Sequence, residues 1–202
     1  GPDGVWEHHT GVWRTKPLPC ARSVRAAVPD SEGGIWIATS MGLYHVTAAE
    51  TTVYQTNDTI LGGDVYDLVF APDGTLWAGG LGGVTCYRNG ERTADITTEQ
   101  GLPNPFVQSL ALAPDGRIWI GTQYGLARHD GEKASVRHGR RWLLDDNVRD
   151  IVFATDGTAW IATGNGVSAI RRKPMTLADK ADHFIDICLR RHVRAPWIVE
   201  RV

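Results

Sequence analysis

Short apolar runs broken by Gly, Pro and Asp recur along the first 170 residues of this chain. VRAAV (24–28), VYDLVF (65–70), VQSLAL (107–112) and VRDIVF (148–153) are apolar with single polar insertions, the pattern of a strand packed on both faces. Each leads into a turn, PDSEGG, APDG, APDG or ATDG, whose Asp and Gly favour a tight hairpin. A second strand follows as IWIAT, LWAGG, IWIGT or AWIAT, and a third as GLYHV, GVTCY, GLARH or GVSAI. A weaker, more polar fourth strand is predicted at 51–55, 92–96 and 133–137, and its polarity suits a solvated sheet edge.

Three anchors share one register. Trp36, Trp77, Trp119 and Trp160 are separated by 41, 42 and 41 residues. Gly42, Gly83, Gly125 and Gly166 repeat those intervals, as do Val24, Val65, Val107 and Val148. A period in the low forties with four short strands per unit predicts an all-β chain of propeller blades, each of four antiparallel strands. Gly4-Val5-Trp6-Glu7-His8 and Val12-Trp13-Arg14 fit the back half of a preceding blade, and the last unit shows three strands. About four blades are therefore expected. They are read as part of a larger ring, with a small closed ring as the alternative. An open arc would leave apolar faces uncovered and is expected to associate.

The pattern stops after Ile170. Thr176 and Asp179 form a capping-box arrangement, and Leu177, Ala181, Phe184 and Cys188 share one helical face, so a helix is expected over 176–191. Residues 1–170 are thus read as propeller, and 171–202 as a linker plus the start of a helical segment or second domain. Charge changes at the same place: the net charge of −2 divides into +4 on 171–202 and −6 on the rest. So small a net charge gives no reason to expect nucleic acid as partner. No apolar run is long enough for a membrane span. Three well-separated cysteines argue against a disulfide framework or a zinc site, and no cofactor or metal is expected. With no initiator Met and no leader pattern at Gly1, any targeting signal is expected upstream.

The unit V-x-x-h-x-x-(P/T)DG-x-h-W-I-(A/G)-T-x-x-G-(L/V), with h apolar, resembles the two-component-regulator propeller repeat. Residues 116–126 carry it most fully, and GLPNPFVQSL (101–110) looks like that family's approach to the inner strand. The resemblance implies a periplasmic or extracellular propeller, typically seven-bladed, found in glycan-sensing regulators and in some polysaccharide-degrading proteins. In the sensors a β-sandwich and membrane span commonly follow, and the helix expected at 176–191 departs from that.

Ligands usually approach the propeller face that carries the loops before each first strand and the turns after each second strand. Residues there escape the packing constraint, and they vary: Arg25, Tyr66, Gln108 and Arg149 follow the inner-strand Val. Met41, Gly82, Tyr124 and Asn165 lie in the Gly turns, with Gln123 beside Tyr124. Arginine forks suit carboxylates and aromatic faces suit sugar rings. Pairing of Arg25 and Arg149 with Asp64, Asp67 or Asp150 is the competing, purely structural reading. Trp142 lies off the Trp register beside Arg140 and Arg141, either as a ligand contact or packed over a neighbouring blade.

No nucleophile elbow, zinc-protease or phosphate-loop motif is present, so no catalytic residue is assigned. The expected function is extracytoplasmic ligand recognition, with a carbohydrate or other small molecule as the partner. The alternatives are the propeller portion of a polysaccharide lyase or hydrolase, and a protein-interaction scaffold.

Overall fold

The computed structural model describes residues 5–9, 12–16, 23–54, 62–139, 142–172 and 197–201. Among these residues eighteen strands form one hairpin and four four-stranded antiparallel sheets. The hairpin is β1 (Val5–His9) with β2 (Val12–Lys16). The first full sheet runs β3 (Val24–Pro29), β4 (Ile35–Thr39), β5 (Gly42–Val46) and β6 (Thr51–Tyr54). The second runs β7 (Val65–Phe70), β8 (Leu76–Gly80), β9 (Val84–Arg88) and β10 (Glu91–Ile96). The third comprises β11 (Val107–Leu112), β12 (Ile118–Thr122), β13 (Gly125–His129) and β14 (Ala134–Arg137). The fourth comprises β15 (Val148–Phe153), β16 (Ala159–Thr163), β17 (Gly166–Arg172) and β18 (Trp197–Arg201).

Each sheet is a meander in chain order, and the first strands stand side by side, β3 next to β7, β7 next to β11 and β11 next to β15. That is the blade arrangement the period predicts. The last sheet differs from expectation. Its fourth strand, unread in the sequence, is Trp197–Arg201, pairing with β17 from Arg172 opposite Trp197 to Ser168 opposite Arg201. The helix expected over 176–191 lies outside the described residues.

The Asp-Gly turns behave as their chemistry requires. Asp73 and Asp156 each accept the backbone amide two residues on, at 3.0 and 2.9 Å. Gly74, Gly116 and Gly157 sit at φ near 80°, where a side chain would be strained.

Packing runs in one direction along the array. Trp36 joins the cluster built by Val65, Leu68, Leu76 and Tyr87 of the following sheet, and Trp77 joins Val107, Leu110 and Ile120 of the third. Trp119 joins Val148, Ile151 and Ile170 of the fourth, with Phe153 edge-on at 5.3 Å. Each indole therefore packs forward onto the next blade. Trp160 occupies the same place in the last sheet and is only half-buried, because among the described residues no further sheet follows.

His129 sits in this core, edge-on to Trp77 at 5.4 Å, with Nδ1 accepting the Gly131 amide at 3.1 Å. Burial pushes its pKa below the ordinary 6.5, and the neighbouring Asp130 only partly offsets this. The unfolded chain therefore takes up a proton first as pH falls. The stability contributed by the neutral ring is full above 6.5 and is lost as pH falls through the lower folded value. Melting temperature should drop between about pH 7 and pH 5, and drop less in His129→Gln. An equal drop in the variant would assign the effect to other groups.

Candidate functional site

All four inner strands share a defect at the same position. Val24 pairs with Thr39, but the next pair is Ala26 with Ala38, so Arg25 is skipped. In the same way Tyr66 is skipped between Val65 and Asp67, Gln108 between Val107 and Ser109, and Arg149 between Val148 and Asp150. Each is the extra residue of a β-bulge, unpaired in the ladder, a device that re-aims a side chain. The four variable residues of the sequence are thus the four that the sheets leave free.

Two of the bulges are followed by a carboxylate that accepts backbone amides. Asp67 accepts the Leu68 amide at 2.8 Å on one oxygen and the Leu110 amide of the next sheet at 2.7 Å on the other. Asp150 accepts the Ile151 amide at 2.8 Å. Burial pushes the Asp67 carboxyl up, the two amides pull it back, and the negative charge of Asp150 adds to the rise.

The turns expected to share this face do adjoin the bulges. Ser40 donates its amide to the Ser23 carbonyl (3.0 Å), Gln123 to Phe106 (3.1 Å) and Gly164 to Asn147 (3.0 Å). Each bond ties the turn after a second strand to the residue before a first strand. Gln123 and Tyr124 therefore stand beside the start of β11, and the Tyr124 side chain is 62% exposed.

Part of the set forms a contiguous row. Asp64 grips Arg25 through two hydrogen bonds of 2.9 and 3.0 Å, as the structural reading anticipated. The same guanidinium lies 4.3 Å from the centre of the Tyr66 ring, and Tyr66 packs on Phe106 at 4.9 Å. Burial raises the Tyr66 pKa, and its hydrogen bond to the Asp64 carboxylate raises it further, so the phenol is protonated at neutral pH. Arg149 is exposed, and no ion pair or hydrogen bond of its side chain occurs among the described residues. Gln108 lies on β11, between the strands of Tyr66 and Arg149.

The remaining candidates lie around the loop before β15. Asn165 donates to Asp145 at 2.9 Å. Trp142 packs against the cluster between the third and fourth sheets, with the Arg137 guanidinium 4.7 Å from its ring. Arg140 and Arg141 lie outside the described residues. Phe106 was not picked out in the sequence. It holds the place before the inner-strand Val, where Ser23, Asp64 and Asn147 stand in the other units, so the same blade-to-blade variation marks it.

Among the described residues no group of three His, Cys, Asp or Glu side chains could hold a metal ion. Cys86 is a buried free thiol pushed up to about 12 by desolvation, and so is unreactive near neutrality. The row joins an aromatic pair to a guanidinium held in place by its carboxylate, and the exposed Arg149 stands two inner strands further along.

Comparison with known proteins agrees with the architecture. The family model described as two component regulator propeller matches residues 101–124. No curated protein sequence matches the chain. Among solved structures, the extracellular domain of a hybrid two component system from B. thetaiotaomicron is 17% identical, with a TM-score of 0.55 over 83% of this chain and 30% of that one. The extracellular domain of a one component system from the same organism is 24% identical, with a TM-score of 0.64 over 75% of this chain and 20% of that one. Virginiamycin B lyase from Staphylococcus aureus is 15% identical, with a TM-score of 0.63 over 78% of this chain and 55% of that one. At these identities the likeness is one of fold. The chain spans less than two thirds of the length of each.

Proposed function

Starting from a chain that carries the two component regulator propeller repeat, we propose that it is an extracytoplasmic recognition module whose ligand is an oligosaccharide. The observation that carries this reading is the bulge repeated in all four sheets, which frees Arg25, Tyr66, Gln108 and Arg149 from the ladder on one face. Besides bending the strand, each bulge turns one side chain out of the ladder, so a ligand site gains four side chains that can be chosen independently. The Tyr66–Phe106 pair and the exposed Tyr124 offer apolar ring faces suited to a pyranose. Arg149 and Gln108 supply the donors that orient it. The extracellular domains that the fold resembles support this location.

A glycan array probed with the intact chain tests the reading, followed by titration of the best hit. Arg149→Ala should weaken that affinity about tenfold, the worth of one charge-assisted hydrogen bond of roughly 1.5 kcal/mol, without changing the melting temperature. Binding to no glycan, with a protein partner recovered instead, would overturn the proposal. Undiminished affinity in Arg149→Ala would remove that residue from the site.

A further inference from the structure

The turn after the first inner strand departs from its three counterparts. Ala71, Ala113 and Ala154 each donate their amide across the turn to Thr75, Arg117 and Thr158, and in the first sheet the same bond runs from Asp30 to Gly34. His45, opposite Trp36 in the ladder, stands where the other sheets have Cys86, Arg128 and Ala169. These three exchanges belong together. Asp30 Oδ2 and His45 Nε2 lie 2.6 Å apart, and a Cβ on residue 34 would come within 2.6 Å of that oxygen and 2.7 Å of that nitrogen. Only glycine leaves room for the pair.

Burial would raise the Asp30 carboxyl, but hydrogen bonds from His45, Gly34 and Glu32 outweigh it and hold the group below its usual value. An ionised carboxylate only accepts, so Nε2 carries the hydrogen, and in the neutral ring Nδ1 keeps its lone pair. Among the described residues Nδ1 has no partner. Asp30 also takes the Glu32 and Gly34 amides, at 2.9 and 2.7 Å, whereas in the other turns Asp73, Asp115 and Asp156 hold the corresponding amide. Glu32 stands in the place of those three aspartates and is released. It is exposed, and its carboxylate has no hydrogen bond or ion pair among the described residues. These groups border a cleft of about 360 Å³ between the first two sheets, at the strand ends far from the bulges. His45 stacks on Trp36 at 4.4 Å and 14°, Tyr54 lies 4.8 Å from the same indole, and the second sheet contributes Phe70 and Asn89 to the lining. A cleft of about 380 Å³ recurs between the third and fourth sheets, but there Arg128 and Arg171 stand beside Asp115 and Asp156. The cleft belongs to the repeat; the lining of the first one does not.

The structure assigns this cleft as a site for a protonated primary amine carried on a flat apolar body. Its two unsatisfied groups, the Glu32 carboxylate and His45 Nδ1, are both acceptors, and an ammonium supplies N–H donors to each. No lysine or arginine is among the residues that line it. Arg88, on the strand that leads to Asn89, is committed to Asp73 and the Thr75 hydroxyl. The faces of Tyr54 and Phe70, both half-buried, suit the apolar body and add to the attraction for a cation. An anionic ligand would meet the charges of Asp30 and Glu32, and a neutral one would leave Glu32 uncompensated. The cleft shares no residue with the bulge face, so it stands whether or not that face binds a glycan.

Isothermal titration of the 202-residue chain with phenethylamine at neutral pH tests the assignment, with phenethyl alcohol and phenylacetate as neutral and anionic counterparts. The amine should bind at least about tenfold more tightly than the alcohol, the worth of one charge-assisted hydrogen bond, and phenylacetate should not bind. Glu32→Gln changes an exposed side chain without a partner, so it should keep the near-UV circular dichroism of the wild type. It should weaken the amine about tenfold and leave the affinity for the alcohol unchanged. Arg149→Ala, on the bulge face, should bind the amine as the wild type does. Failure of the amine to bind overturns the proposal, as does equal affinity for amine and alcohol. Undiminished amine affinity in Glu32→Gln also overturns it, and so does loss of the amine in Arg149→Ala, which would move the site to the other face.

Discussion

Trp119→Ala should lower stability by about 3–5 kcal/mol, the range for truncating a fully packed indole. For a chain of this size that corresponds to a fall of roughly 6–20 °C in melting temperature. The indole is 8% exposed and lies among Val148, Ile151 and Ile170 of the next sheet, with Phe153 edge-on. Its removal opens a cavity inside a seam, and the rigid strands on either side cannot collapse into it. The comparison that gives the result meaning is Trp160→Ala. That residue holds the same position in the repeat but is only half-buried, with no following sheet among the described residues, so its loss should cost less than half as much. Equal losses at the two positions would show that the stabilisation lies within each blade and not between blades.

The opposite change, adding atoms to a seam, should be nearly as damaging. A Cβ on Gly121 would lie 2.5 Å from Cγ1 of Val148, well inside contact distance, and would also meet the Ser109 hydroxyl. Val148 cannot retreat, because it is fully buried and lies on the inner strand of the next sheet. Gly121→Ala should therefore cost about 1–3 kcal/mol by overpacking. Val148→Ala alone should also destabilise, by leaving a hole. Combined, the two changes should cost less than their sum, since the new methyl enters the space that the valine vacated. Strict additivity would mean that the two residues do not share a seam.

The residues of the seams mark how far the sequence could be read. Trp119, Gly121 and Val148 recur because every seam needs the same large, small and branched groups, and steric demands of that kind leave a periodic trace. The number of sheets and their strand order followed directly. The bulge left no such trace, since a skipped pair is an event of the backbone that no residue type announces. What the sequence did show was its result, the variability at Arg25, Tyr66, Gln108 and Arg149. The grip of Asp64 on Arg25 was foreseen only as one of two readings, because spacing along a strand does not say which neighbour a long side chain will reach. Phe106 was passed over because it lies inside a linker whose pattern already had a structural explanation. β18 was illegible for a different reason. It joins its sheet from beyond a segment with no blade pattern, and a strand that follows no turn carries no local sign of its partner.

The bulge also separates two things that most binding sites inherit together. A residue skipped by the ladder contributes little to the sheet, so exchanging Gln108 for an acid or Tyr66 for an amide leaves the Val, Trp and Gly anchors untouched. Descendants of such a chain can acquire a new preference by substitution at a handful of positions while folding through the same contacts. Four blades that each offer one such position amount to a combinatorial surface, on which affinity for a new molecule can be explored without first surviving a loss of stability.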